Sequence, residues 1–367
     1  MTKRSSSPGA EKPSWTAPEL PYEPRDPNSY SPGIGLIGCG AITVDHLTAY
    51  REAGYRVVAL CDIDLTVARE RQQEFYPDAK LYDDIHKLLE RDDIEVVDIA
   101  THPEVRAPLI EAALLAGKHV LSQKPFVLDL AEGRRLVELA EAQGVHLAVN
   151  QNGRWAPHFA YLRQAVAAGL LGDPLAFHTA VHWDHSWVAG TEFEKVKHLI
   201  LFDFAIHWFD MLNCVMGDAV PRRVSASTAR STQQKIKPHL LAQAQIEYDT
   251  AQASLVFDGA VEHGPHDTTY FAGTLGSLRS EGPDHDEQRV TICVGEQSAS
   301  PQLRGRWFPD GFHGTMGELL CAIEEGREPL HNARENLRSL ALCYAAVASA
   351  ESGQPTEPGT VDSMPQG

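Results

Sequence analysis

The 367-residue chain has no C-x-x-C pair, and its six cysteines (39, 61, 214, 293, 321, 343) show no zinc-ligand spacing. Neither a structural zinc site nor a disulfide framework is read from them. Several sit inside apolar runs, where cysteine behaves as a small buried hydrophobe, a usage that suits a reducing compartment. Basic charge is short: Lys plus Arg number 32 against 50 Asp plus Glu, a formal net charge of −18. That excess repels nucleic-acid phosphates and anionic lipid, and no local basic patch offsets it, so no nucleic-acid or membrane partner is expected. No apolar run approaches the roughly 20 residues that span a bilayer. The start, MTKRSSSPGAEKPSW, lacks the apolar core of a secretory signal and a twin-arginine pair, so a cytoplasmic location is expected. There is no internal repeat. What is present, 43% hydrophobic and 22% charged residues, excludes wholesale disorder, and the length suits two domains.

Residues 1 to about 30 hold Pro8, Pro13, Pro18, Pro21, Pro24 and Pro27 among serines and charged residues. Such a stretch buries too little apolar surface to offset its ordering entropy, so an extended or disordered arm is expected. Two readings stay open, a floppy tail and an arm that wraps a neighbouring subunit. Over 31–150, short apolar runs alternate with helical patterns. Residues 34–37, 56–61, 95–100, 119–121 and 145–149 read as strands, with helices over about 42–53, 65–75 and 130–143 and another closing at Gly117. Strict alternation, with strands apolar on both faces, implies a Rossmann-type α/β domain with a doubly wound parallel sheet. After 150, the runs 175–183, 240–248, 252–259 and 268–273 follow without intervening helices and predict a large open, mainly antiparallel sheet. A helix over about 201–216 interrupts early, and two more (about 314–325 and 333–351) close an α+β domain of residues 151–355. Residues 356–367, TEPGTVDSMPQG, read as a frayed tail.

The first strand runs into Gly38-Cys39-Gly40-Ala41-Ile42-Thr43 and straight into a helix. The first glycine permits the tight turn, and the second lets backbone approach a pyrophosphate attracted to the helix N-terminus. Asp62, at the end of the next strand and 22 residues after Gly40, is placed to hydrogen-bond an adenosine ribose. Thr43 stands at the third glycine position. Asp62 with Asp64 would repel a 2′-phosphate, which favours NAD over NADP. Later strands end in Thr101-His102 and Gln123-Lys124-Pro125, at the carboxyl edge where doubly wound sheets bind ligands. The expected cofactor contacts are Gly38, Gly40, Ala41, Ile42, Asp62, Thr101, His102, Gln123 and Lys124.

Residues 201–216, LFDFAIHWFDMLNCVM, are apolar almost all round. On a regular helix His207 falls about 40° from Asp203, and Asp210 about 20° to its other side. Three ionisable groups thus share one narrow stripe on a buried helix, which is costly unless they are paired or face a polar cleft. Asp210 is the one expected to be structural. The segment His178 to Trp187 is rich in His and Trp, with His178, His182 and Asp184 on one strand face. It reads as a polar sheet face, as a sugar pocket lined by Trp183, Asp184 and His185, or as a metal set made with His207 and Asp203.

Together, G-C-G-A-I (38–42), the Asp62 strand end, GKHVLSQKP (117–125) and D-x-x-x-H-x-x-D (203–210) resemble the Gfo/Idh/MocA family of oxidoreductases. The ending FHGTMGELLCAIEEGREPL, followed by a helix with SAESGQP, is similar too. The resemblance runs from about 34 to 355. Members usually carry E-K-P where this chain has Gln123-Lys124-Pro125, His at the place of Arg106, and paired glycines before the acid at 203, where this chain reads HLILFD. Asn150 to Trp155 resembles the family's N-x-R crossover between domains, so Arg154 is an expected substrate contact, with a polar interdomain linker as the bland reading.

The resemblance implies NAD in the first domain, substrate between the two, no metal, and a homodimer or homotetramer through the open sheet. It also implies a site of Lys124, Asp203 and His207 facing the nicotinamide. The chemistry is coherent: an imidazole takes the hydroxyl proton, a fixed ammonium stabilises the developing alkoxide, and an acid orients the imidazole. His207 is assigned as base, Lys124 as stabiliser and Asp203 as orienter, with a desolvated Lys as the alternative base. Trp183, His185 and Arg154 complete the expected substrate contacts. The expected activity is hydride transfer between NAD and a secondary alcohol of a sugar, inositol or sugar acid. The alternatives are a redox-neutral sugar enzyme that retains its NAD, and a non-catalytic NAD-binding regulator.

Overall fold

The computed structural model describes residues 15–364. The beginning of the proline-rich arm and the last three residues of the tail lie outside the described residues. Gly33–Ile37 (β1) is buried at every position, as a strand covered on both faces must be. With β2 (Arg56–Cys61), β3 (Lys80–Tyr82), β4 (Ile94–Ile99), β5 (His119–Gln123) and β6 (Leu147–Asn150) it forms a parallel sheet in the order β3-β2-β1-β4-β5-β6. Helices α1 (Thr43–Glu52), α2 (Leu65–Phe75), α3 (Ile85–Leu89), α4 (Pro103–Leu115) and α5 (Leu130–Gln143) connect the strands. Three of them start at an aspartate, Asp64, Asp84 and Asp129, whose carboxylate accepts from the first turn's N–H groups. The strand order reverses between β1 and β4. This switch point gathers the ends of β1, β4 and β5 at one edge, where a ligand crevice forms.

The second unit opens with α6 (Pro157–Ala167), β7 (Pro174–His182) and α7 (Ile206–Met216). Strands β8 (Arg223–Ala229), β9 (Leu241–Glu247), β10 (Gln252–Asp258), β11 (His266–Gly273), β12 (Gly276–Gly282), β13 (Arg289–Val294) and β14 (Gln297–Ala299) follow. The eight-stranded order is β14-β13-β12-β11-β7-β10-β9-β8. All its pairs are antiparallel except β7 with β10. Two last helices, α8 (Asp310–Glu325) and α9 (Ala333–Ser352), pack back onto α1 and α5 and so tie the two sheets together.

Two expectations need correction, the start of one helix and the tail. The helix over 201–216 is not regular from its start: Ile200–Phe204 form a wide π turn, with the Ala205 N–H bonded to the Ile200 carbonyl at 2.7 Å, and the α-helix begins at Ile206. The tail is not frayed between 356 and 364. Thr356 exchanges backbone hydrogen bonds with Val224, Leu130 N–H donates to the Asp362 carbonyl and Met364 N–H to the Leu128 carbonyl. The arm, from Trp15 onward, runs extended over its own chain. Trp15, Ala17, Leu20 and Tyr22 pack on the core, and the Glu324 carboxylate accepts from the backbone of Asn28, Ser29 and Tyr30. Prolines set its extended shape, while scattered aromatics supply the apolar contacts that mean composition hides.

One buried acid has no partner. Asp267 on β11 is 1% exposed and neither carboxylate oxygen is hydrogen-bonded. Burial, then the nearby Asp284 charge, pushes it up to about 7. A folded-state pKa above the unfolded value near 3.9 means its protonated form is favoured by folding, and this contribution is lost as pH rises through about 7. Asp267→Asn is therefore expected to raise stability by about 2–3 kcal/mol more at pH 8 than at pH 5. Urea midpoints at the two pH values check this; equal shifts at both would contradict it.

Candidate active site between the two domains

At the switch point the chain after β1 turns at Gly38, whose φ of +86° is left-handed. A Cβ there would lie 3.0 Å from the Ala100 carbonyl. A side chain at Gly40 would meet nothing within 4 Å, so the turn leaves open space in front of α1. The amides of Ala41 and Ile42 have no acceptor among the described residues, which is the arrangement an anionic pyrophosphate fits. Asp62 lies beyond, its carboxylate accepting from Cys39 N–H at 2.7 Å and Asp64 N–H at 2.9 Å. These bonds fix it against the glycine turn. Asp64 caps α2 through Thr66 N–H, and that bond holds its carboxyl below the usual range.

A cleft of about 630 Å³ runs from Gly40, Ala41 and Ile42 past Thr101, His102, Gln123 and Lys124 to the second domain. There Asp203 and His207 meet it, the first from the π turn and the second from the opening turn of α7. Lys124 Nζ donates to the Asp203 carboxylate at 3.1 Å and to its carbonyl at 3.0 Å. This pair, each side chain about one-fifth exposed, joins the end of β5 to the second domain. Asp203 therefore holds Lys124 and does not orient His207, as the sequence had suggested; the π turn sets its carboxylate toward β5. His207 Nδ1 is buried without a partner. Burial, then the Lys124 and His285 charges, holds its imidazole well below the usual histidine range, so the ring is neutral at pH 7.

Arg154 does not line the cleft. Its guanidinium is buried against Asp210 at 2.5 and 2.7 Å and also donates to the Leu330 carbonyl. Asp210 shares the helical stripe with Asp203 and His207, but one turn further along the axis, where Arg154 reaches it and Ser339 donates to it. His178 and His182 bond Ser254 and Asp258 on the sheet face opposite the buried Phe177, Thr179 and Val181. They cannot join His207 in one ligand set.

A family model described as "Oxidoreductase family, NAD-binding Rossmann fold" matches residues 33–151, and the "GFO/IDH/MocA C-terminal domain" matches 159–279. The chain belongs to the Gfo/Idh/MocA family of oxidoreductases. D-apiose dehydrogenase of Paraburkholderia graminis is 28% identical over 334 residues, covering 88% of each chain. Inositol 2-dehydrogenase 4 of Saccharopolyspora erythraea is 32% identical over 331 residues, covering 88% of this chain and 94% of the relative. Among solved structures, an oxidoreductase from Agrobacterium radiobacter in complex with NAD+, L-tartaric acid and magnesium superposes with a TM-score of 0.80. It is 23% identical and covers 90% of this chain and 99% of that one.

As a Gfo/Idh/MocA protein the chain departs from the usual glutamate at Gln123, and its interior accommodates the change. His46 Nδ1 donates to Asp98 at 2.7 Å, and Tyr50 donates to the same oxygen. Gln123 Nε2 at 3.2 Å and Asn150 Nδ2 at 3.4 Å then both offer N–H groups to His46 Nε2. The amide orientation follows from Lys124 N–H donating to Gln123 Oε1 at 2.7 Å. His46 Nε2 therefore accepts, with Nδ1–H facing Asp98, an arrangement that the N–H of an amide at 123 completes.

The far wall was missed in the sequence. Trp183 and His185 follow β7 as expected, with Asp184 at the exposed rim, but Phe204, Trp208, His285, Trp307 and Phe308 complete the cleft. The ring of Trp183 lies 5.1 Å from His285 and 5.3 Å from Phe204, and His207 lies 5.4 Å from Trp307. Asn152 accepts the Trp307 indole N–H. Thr101 Oγ1 and the indole nitrogens of Trp183 and Trp208 have no partner. Burial pushes His185 down to about 4 and lowers His285.

Proposed function

We propose that this protein is an NAD-dependent dehydrogenase that transfers hydride reversibly between the nicotinamide and a secondary alcohol of a neutral sugar or cyclitol, with Lys124, Asp203 and His207 as catalytic residues. The observation that carries this reading is the Lys124–Asp203 pair, joining the cofactor-binding edge of the sheet to a second domain that offers a neutral imidazole one turn on. When bound, NAD supplies the hydride acceptor. Lys124, steadied by Asp203, donates to the alcohol oxygen and stabilises its developing negative charge. His207 takes the hydroxyl proton. A hydroxyl whose carbon is losing hydride becomes strongly acidic, so a weakly basic imidazole suffices.

Neutrality of the substrate rests on the cleft's charges. Its cations are Lys124, paired with Asp203, and Arg106, held by backbone carbonyls; its anions are Asp203 and Asp184. Lys124 is already charge-compensated and the Arg106 donors are taken up by carbonyls, which disfavours a carboxylate or phosphate, while aromatic faces suit the C–H bonds of a sugar ring. D-apiose and inositol, named for two relatives, fit that description. The test is absorbance at 340 nm with NAD and a panel of neutral sugars, cyclitols and sugar acids. A rise with neutral compounds supports the reading, and a rise with acids alone contradicts the substrate class. No rise, with stoichiometric NAD released on denaturation, would favour redox-neutral chemistry instead.

NAD is the proposed cofactor in preference to NADP, because Asp62 and Asp64 meet the ribose edge with negative charge. Asp62→Ala should raise the KM for NAD about tenfold and bring NADP within about tenfold of it; an unchanged preference would remove Asp62 from the ribose. The outward face of the eight-stranded sheet, where Tyr270 is 43% exposed, is the surface we assign to a homodimer or homotetramer. All six cysteines are unpaired, which suits a reducing cytoplasm. No helix among the described residues is long and apolar enough to cross a membrane.

A further inference from the structure

Arg106, in the first turns of α4, is one of the largest fully buried side chains, at 1% exposure. Its guanidinium donates to the carbonyls of Thr101, Gln123 and Pro125. Those carbonyls stand at the carboxyl ends of β4 and β5, so one side chain clamps the two strand ends on either side of Lys124. No carboxylate among the described residues lies within ion-pair distance of it. Lys124 in the same cleft is ion-paired with Asp203 at 3.1 Å, whereas the hydrogen bonds of Arg106 all go to carbonyls and Asp203, Glu104 and Asp98 act on it only at longer range. Burial pushes it down to about 9, which leaves it charged at neutral pH. It lines the cleft with Ile42, Thr101 and Lys124, at the end of the crevice away from the Asp62 ribose contact.

We propose that Arg106 is a positioning residue of the cofactor site whose unpaired charge makes the protein bind the neutral, reduced nicotinamide more tightly than the cationic, oxidised one. This rests on the NAD-binding reading of the first domain. The oxidised ring carries a positive charge and the reduced ring does not, so a fixed cation beside the ring opposes only the oxidised form. The rest of the nucleotide is identical in both states and cancels from the comparison. The bias favours substrate oxidation on the protein and slows release of the reduced cofactor.

The test is fluorescence titration of the whole protein with NADH, NAD+ and ADP-ribose, for the wild type, Arg106→Met and Arg106→Lys. The wild type should bind NADH at least about tenfold more tightly than NAD+. Arg106→Met should shrink that ratio about tenfold, chiefly by tightening NAD+. Arg106→Lys keeps the charge while losing the fork, and should keep the ratio. ADP-ribose, which lacks the nicotinamide, should bind all three proteins alike. An unchanged NADH to NAD+ ratio in Arg106→Met overturns the proposal. So does an equal loss of affinity for ADP-ribose and NADH, which would make the residue merely structural. Failure of the wild type to bind any of the three nucleotides would instead bring down the cofactor reading, and this inference with it.

Discussion

Replacing Lys124 with methionine is expected to lower kcat by about 10²–10³, the usual consequence of removing one preorganised charge from a developing alkoxide, and to change the dissociation constant for NAD little. Methionine keeps the length of the stem, so loss of the ammonium dominates. The Asp203 carboxylate is then left at the cleft without its partner. If Asp203 acts through Lys124, Asp203→Asn costs much of its activity in the wild type and little further in the Lys124→Met background. Such non-additivity marks two groups that work as one. His207→Ala, tested alongside, is expected to cost about 10²–10⁴ as the loss of a proton acceptor. Full activity in both Lys124→Met and His207→Ala would remove the site from this cleft.

The second large effect concerns stability. Arg154 and Asp210 are both almost fully buried and face each other through two hydrogen bonds. Arg154→Met leaves the Asp210 charge unpaired in the interior, with only Ser339 to donate to it. The expected loss is about 3–5 kcal/mol, as for other broken buried ion pairs. Adding Asp210→Leu should recover much of it, since an apolar pair no longer buries a charge. The urea midpoint measures both variants. A midpoint unmoved by Arg154→Met, together with a raised KM for the sugar, would return Arg154 to the substrate.

That pair also shows what a sequence conceals. A lone arginine just past the last strand of a Rossmann domain looks like a ligand contact, and its partner lies 56 residues away. Only the packing of α7 against the turn after β6 brings them together. The first sheet was legible because its strands are apolar on both faces and a left-handed glycine ends the first of them. The short β3 and α3 were not, because three and five residues carry no periodic signal. In the site, Lys124, Asp203 and His207 stood out as polar groups where apolar ones belonged. The regular-helix geometry used to relate Asp203 to His207 failed at the π turn, so the acid's partner was misread. Trp307 and His285 lie in segments without pattern, and only the fold carries them to the cleft.

Isotope transfer tests the central claim most directly. The protein is given NAD and the active neutral sugar or cyclitol with deuterium on its ring carbons, and the nucleotide is recovered after denaturation for mass spectrometry. Hydride transfer in the Lys124–Asp203–His207 cleft predicts deuterium in the recovered nicotinamide with the wild type, and very little with Lys124→Met. Substrate consumed by the wild type with no deuterium reaching the nucleotide would contradict the account.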